Sequence, residues 1–328
     1  MLLSRNIGRP PGFCYMMMSL SDRVERKDGL ARMGVRRIQQ IVVPCVLLTA
    51  ALSGCAREID GEGSDLRRMT ILTFNVRYDN PADGEHAWPL RRDRVAALIR
   101  FHDADIAGLQ EAQKNQIDDL VERLPGYRWY GLGRDDGEAG GEFVPIFYRS
   151  DRVALADSGT FWLSPTPQVP GSLGWDAAIT RITTWGRFSD RETGKSFFVY
   201  NAHFDHVGEE SREESARLLK SRVSSRSPKL PAVVLGDFNA EPGSAPYQVM
   251  ADSAGGPILV DARERAEIKY GPTATFHGFE VGSSEPRRID YIFLTPDLIA
   301  VRFGVLSGQE EGRYPSDHLP VLVEVEMP

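Results

Sequence analysis

Asn75, Glu111, His203, Asp237, Asn239, Asp290, Asp317 and His318 are the residues of this 328-residue chain whose types and order suggest chemistry. Carboxylates offer general bases and hard oxygen ligands, amides offer fixed donors, and imidazoles move protons or hold anions. The three cysteines, Cys14, Cys45 and Cys55, all precede this set. A metal held among the later residues would therefore rest on oxygen or imidazole. Brought into one pocket, so many acids would repel one another unless a divalent cation offset them. Taken singly, a strand-end Asp or Asn is usually a turn or helix cap. The case rests on all of them converging.

Convergence requires strands that end where these residues begin. Thr70–Val76, Ile106–Gln110, Trp129–Leu132, Val144–Tyr148, Ile182–Phe188, Ser196–Phe204 and Ala232–Leu235 read as strands, rich in β-formers. Tyr291–Leu294, Ala300–Leu306 and Leu319–Val325 close the series. Helical periodicity predicts a helix opened by Pro89 and running to Arg100, and another over residues 113–124 with Ile117, Leu120, Val121 and Leu124 on one stripe. A polar helix is expected over 209–223. Hairpins mixed with βαβ units imply an α/β fold of two packed mixed sheets with helices outside, in one domain over 68–328. Polar groups at strand ends then gather at one end of the sheets.

Thr73-Phe74-Asn75, Leu109-Gln110-Glu111, Asn201-Ala202-His203, Gly236-Asp237-Phe238-Asn239, Arg288-Ile289-Asp290-Tyr291 and Ser316-Asp317-His318 occur in this order. Together they resemble the endonuclease/exonuclease/phosphatase (DNase I-like) superfamily over roughly Met69 to Met327. The resemblance implies a four-layer α/β sandwich and a metal-dependent phosphoric ester hydrolase. It implies that Glu111 is the main Mg²⁺ ligand, with Asn75 and Asp317 beside it and Mn²⁺ as an alternative ion. Asp237 would activate the attacking water, Asn239 would donate to the phosphoryl oxygens, and His203 and His318 would hold the phosphate. Asp290 would orient His318, and Glu142 would be the corresponding partner of His203. In-line displacement at phosphorus concentrates negative charge on oxygen, so a cation and fixed donors suit it.

Further candidates are less distinctive. Asn80, Trp88, Arg91 and Arg92 could line the substrate rim, or form a loop and helix start against which Trp88 packs. Arg181 would contact phosphate or pair with a surface acid, and His206 would add a metal or substrate ligand. Two aromatic stretches, Gly159–Leu163 and Thr275–Phe279, resemble a bacterial subgroup of the superfamily.

The amino-terminal segment reads as an address. Arg36-Arg37 precede an apolar run, Ile41–Leu52, that is shorter than the about 20 residues a spanning helix needs. Leu52-Ser53-Gly54-Cys55 resembles a bacterial lipoprotein cleavage box, implying acylation of Cys55 and anchoring to the cell envelope, outer membrane or periplasm-facing. Residues 1–55 are expected to be the signal segment and 56–67 a tether. The first 55 residues carry a net charge of +5 and the remainder −12. That acidity argues against clamping long nucleic acid, which needs clustered Lys and Arg. The expected substrate is a small phosphorylated molecule, acted on by a monomer outside the cytoplasm. Extracellular nuclease action, or a non-catalytic binding protein that keeps the fold, are the competing readings.

Overall fold

The computed structural model of the chain describes residues 68–252, 259–280, 282 and 286–327. All belong to one unit, Gly61–Pro328. Cys55, the apolar run before it and the 56–67 tether lie outside the described residues. Among the described residues no helix is long and apolar enough to cross a membrane.

Two mixed β-sheets lie face to face. The strands are β1 (Arg68–Asn75), β2 (Ile106–Gln110), β3 (Tyr127–Tyr130), β4 (Ile146–Arg149), β5 (Val153–Trp162), β6 (Ile182–Asp190) and β7 (Ser196–His203). They continue with β8 (Ala232–Asp237), β9 (Val260–Asp261), β10 (Ile268–Tyr270), β11 (Asp290–Leu294), β12 (Ile299–Val305) and β13 (Val321–Glu326). The first sheet runs β10-β12-β13-β1-β2-β4-β3 and the second β5-β6-β7-β8-β11-β9. The α-helices are α1 (Arg92–Phe101), α2 (Lys114–Arg123), α3 (Glu209–Ser225), α4 (Ala245–Ala251) and α5 (Ala262–Arg265), and two 3₁₀ turns, Pro81–His86 and Trp88–Leu90, precede α1.

Strand alternation decides what each face carries. In β1, Met69 and Ile71 join the core between the sheets, while Leu72 and Phe74 pack with residues of α1 and α2. In β7, Phe197 and Val199 face the other sheet, while Phe198 and Tyr200 pack with Ala216, Leu219 and Val223 of α3. The central strands of each sheet are thus buried on both faces, and the result is the four-layer α/β sandwich. The sheets approach closely at Gly108, where a β-carbon would stand 2.2 Å from Leu235 Cδ1. A side chain there would have to displace Leu235 and the Asn201 amide.

Some expectations need correction. Pro89 opens a short 3₁₀ turn, Trp88–Leu90, and α1 starts only at Arg92. Val121 does not join the buried stripe of α2 but is 45% exposed. Strand β5 was not anticipated, because a register shift between Leu155 and Asp157 breaks its alternation and much of it is only partly covered. Helix α4 is seven residues long, too short for a clear 3.6-residue pattern.

Candidate active site

The two sheets leave a polar layer at one end of their shared core. Asn75, Asn201, Asp237 and Asp290 continue the inward-facing parity of β1, β7, β8 and β11, but replace apolar residues there. His203 pairs with Asp237 in the parallel β7–β8 register, and Asp237 pairs with Asp290 in the antiparallel β8–β11 register. Three titratable residues therefore stand abreast on neighbouring strands. Beneath them Gln110 Nε2 donates to Asn201 Oδ1 at 2.7 Å and to Thr73 Oγ1 at 3.0 Å. Asn201 Nδ2 donates to the carbonyls of Leu109 and Pro145 at 2.8 and 2.9 Å. These bonds tie the sheets together directly below the site, and they leave the buried Gln110 Oε1 without a hydrogen-bond partner.

The backbone around the site is constrained. Gly236 has φ +144°, and a β-carbon there would lie 2.0 Å from the Ala202 carbonyl oxygen. Any side chain would push β8 away from β7 and move Asp237. Glu111 (φ 61°), Arg77 (φ 57°) and Asn239 (φ 46°) occupy the left-handed region. Non-glycine residues held there cost energy and tend to gather at functional sites.

A cavity of ≈ 460 Å³ opens over this end. Glu111, Asp237, Asn239, Asp317, His203 and His318 line it, and so do Glu142, Arg181 and His206. Asn75 lies behind the wall, fully buried. Its Nδ2 donates to Glu111 Oε1 and to Asp237 Oδ2, both at 3.0 Å, while its Oδ1 accepts the Arg77 N–H at 3.0 Å. Glu111 Oε2 accepts the Tyr78 N–H at 3.1 Å. Asp237 Oδ1 accepts the Asn239 N–H at 2.9 Å, and Asn239 Nδ2 donates to the Phe204 carbonyl at 3.1 Å. Asp290 supports His318 from behind, with Oδ2 2.9 Å from Nδ1.

Electrostatics divide the two imidazoles. Burial holds His203 well below the ordinary imidazole value, and the Arg181 guanidinium adds to the effect. Arg181 Nη1 lies 2.9 Å from Nδ1 and 2.8 Å from Nε2 of that ring. A neutral, accepting imidazole is the compatible state beside a cation. For His318, burial opposes the charge, but Asp290, Asp237 and Asp317 outweigh it and raise it to about 10. Burial, reinforced by Asp290, raises Asp237 to about 7. Asp317 and Glu142 are raised by burial first, and Glu111 pushes both further in that direction.

Glu142 does not contact His203. Its Oε2 instead accepts from Arg134 at 2.6 Å, and Arg181 takes the place beside the histidine ring. The rim residues also need correction. Arg91 is 1% exposed and donates to the backbone carbonyls of His86, Val76, Pro315 and Arg77, cross-tying the loops after β1 to the segment before β13. Trp88 is buried with Nε1 on Asp119 at 2.8 Å, and Arg92 pairs with the same carboxylate at 2.9 Å. Asn80 caps the turn Pro81–His86 by accepting the Ala82 N–H. None of these four lines the cavity. Phe276 of the aromatic stretch Thr275–Phe279 does line it, and so do Arg77, Tyr78 and Arg287, which were missed. Arg77 alone had a sequence signal, two residues past Asn75, and it lies 3.9 Å from Asp317.

The donors suit a hard cation. Glu111 and Asp317 present carboxylate oxygens so close that Glu111 raises Asp317, a repulsion that a divalent ion relieves, whereas the Asn75 amide turns its Nδ2 to Glu111 and its oxygen to the Arg77 N–H. Asp237, Asp290 and His318 also have ligand atoms within 4.8 Å of one another. In that trio the Asp290 bond and the raised His318 favour an imidazolium, which has no lone pair for a metal.

Residues 72–318 match the endonuclease/exonuclease/phosphatase family. Among solved structures, an endonuclease/exonuclease/phosphatase from Bacteroides vulgatus is 41% identical, covering 80% of this chain and 100% of that one, with TM-score 0.77. A mannosyl-6-phosphatase from Bacteroides thetaiotaomicron is 39% identical, covering 78% of this chain and 99% of that one, with TM-score 0.73. Among curated proteins, Drosophila melanogaster nocturnin is 22% identical over 86% of this chain and 50% of its own length. The chain thus spans about half of that relative.

Proposed function

The chain belongs to the endonuclease/exonuclease/phosphatase family and is a phosphoric ester hydrolase, and from that premise we propose that it removes phosphate from a phosphorylated sugar. The observation that carries this reading is the 39% identity to a mannosyl-6-phosphatase over 99% of that chain. The Ccr4 3'-5'-exoribonuclease subunit of Aspergillus niger is more distant, at 21% identity. A net charge of −7 also fits a small ester better than a nucleic-acid strand.

In the proposed mechanism Asp237 is the base. Its Oδ1 is fixed by the Asn239 N–H and its Oδ2 by Asn75, so a proton from the attacking water arrives at a carboxylate already oriented. Asn239 has a second amide hydrogen left for a phosphoryl oxygen. His318, held charged by Asp290, donates to the oxygen on which negative charge accumulates. His203, kept neutral beside Arg181, orients rather than protonates, and the guanidinium supplies charge to the phosphoryl group. Glu111 and Asp317 would hold Mg²⁺, with Mn²⁺ as the alternative and Asn75 orienting the Glu111 carboxylate through its Nδ2, and the ion would supply Lewis acidity and neutralise phosphate charge. Glu142, which lines the cavity, acts by pairing with Arg134.

The cleavage box at Cys55 supports a further part of this reading, a lipid-anchored enzyme facing the space outside the cytoplasm. The deciding experiment measures phosphate release by the full chain from mannose 6-phosphate, other hexose phosphates, bis-p-nitrophenyl phosphate and an oligonucleotide, with Mg²⁺ or EDTA. Preference for hexose monoesters is expected. Turnover of the oligonucleotide alone would replace this reading with nuclease action, and silence on every ester would favour a binding protein.

A further inference from the structure

A second cavity, of ≈ 350 Å³, lies on the other side of the second sheet and shares no lining residue with the active site. Strand β7 contributes to both. Asn201 and His203 face the junction of the sheets, whereas Phe198 and Tyr200 face outward, as strand alternation requires. Helix α3 covers the outer face only as far as its last turns, and the cavity forms where it stops.

The floor is aromatic. Trp185 of β6 pairs with Tyr200 of β7 on one side and with Gly159 of β5 on the other. A β-carbon at Gly159 would come within 2.8 Å of the Trp185 Nε1, so the glycine leaves room for the indole. Trp185 and Phe198 are tilted by 47°, and Phe198 and Tyr200 by 26°, giving a curved, one-sided surface. A puckered ring with one apolar face can lie on a curved platform.

The wall is cationic. Arg222, in the last turn of α3, and Arg226, just past its end, both line the cavity. Arg222 lies 5.3 Å above the Phe161 ring and has no carboxylate partner among the described residues. Arg226 is held by the carbonyls of Leu230 and Val223, at 2.7 and 2.6 Å, so its charge is positioned but not neutralised. Positioned guanidinium groups recognise carboxylate and phosphate. Gln168 and Asp157 at the exposed edge offer a donor and acceptors for hydroxyls.

We propose that this outer cavity is a second binding site for an anionic saccharide, with one sugar ring on Trp185 and its acidic group on Arg222 and Arg226. The choice of a saccharide draws on the sugar-phosphate reading of the active site. The anionic requirement rests on the two arginines alone. Such a site would hold a charged glycan chain while the catalytic cavity works on another part of it.

The test is calorimetric titration of the full chain with a mannuronate oligosaccharide, whose carboxylates replace phosphate and are not hydrolysed. Neutral mannan oligosaccharide and a nucleoside monophosphate serve as comparisons. Wild type is expected to bind the uronate, and Arg222→Gln and Trp185→Ala are each expected to weaken it by about tenfold or more. Both variants should keep wild-type kcat/KM on a hexose monophosphate, which also reports that they fold. No binding by wild type, undiminished binding by both variants, or equal binding of the neutral chain or the nucleotide would each overturn the proposal. Failure of the catalytic reading looks different: no hexose phosphate is turned over, while uronate binding stays sensitive to Arg222.

Discussion

Nδ1 of His318 lies 2.9 Å from Oδ2 of Asp290, with both side chains buried. The two residues are 28 positions apart: Asp290 starts β11 of the second sheet, and His318 lies in the segment just before β13 of the first. An imidazolium held this way is available across the physiological pH range, and the carboxylate behind it fixes which nitrogen faces the cavity.

Asp290→Asn keeps the shape but removes the charge. The kcat/KM on the preferred ester should fall by about 10–100-fold, and the alkaline limb should move down from about 10. The pair also links to stability. The folded value of His318 lies above its ordinary 6.5, so its contribution is complete below pH 6.5 and is lost as pH rises through about 10. The urea midpoint should therefore fall over that window more steeply in wild type than in Asp290→Asn.

Asp237 must be ionised to act as a base. Because burial and Asp290 raise it to about 7, kcat/KM should climb as pH rises through that region. Asp237→Asn should lower kcat by about 10³-fold or more while leaving phosphate binding measurable. Wild-type rates from this variant would remove Asp237 from the mechanism.

Chelation should abolish turnover, and Mg²⁺ should restore it. A ligand that binds only the folded state raises its stability, so Mg²⁺ should raise the melting temperature of wild type. The rise should be absent in Glu111→Gln, measured by differential scanning fluorimetry without substrate. An unchanged rise would place the ion elsewhere, with Asp237, Asp290 and His318 the first alternative.

Arg91 carries a structural prediction. Replacing it with Ala strands several buried carbonyls at once, and should cost about 3–5 kcal/mol in denaturant unfolding, near the loss for breaking a buried charge network. Any fall in activity should track unfolding rather than a change in KM for phosphate esters.

Cys55→Ser should release the protein from the membrane fraction, and globomycin should block processing of the wild type. Partitioning of wild type into the aqueous phase in detergent extraction would count against the anchor.

The strand-end residues and their order were legible from the chain alone, because polar side chains interrupting β-rich runs are a local signal. Gly236 beside Asp237 and the Asn201-Ala202-His203 segment could be picked out without coordinates. Pairings between distant segments could not. Glu142 next to Phe143 gives no hint that its carboxylate meets Arg134, because that depends on how one loop folds back. Arg91 and Trp88 look like rim residues by position, but the packing of the loop after β1 buries both. Arg181 beside His203, and the charge difference between the two histidines, follow from which cations and acids the closed sandwich brings within a few ångströms. Residue type and period specify strands, faces and the kinds of group at their ends, whereas Coulomb interactions and desolvation depend on distance and burial, which exist only once both sheets have packed.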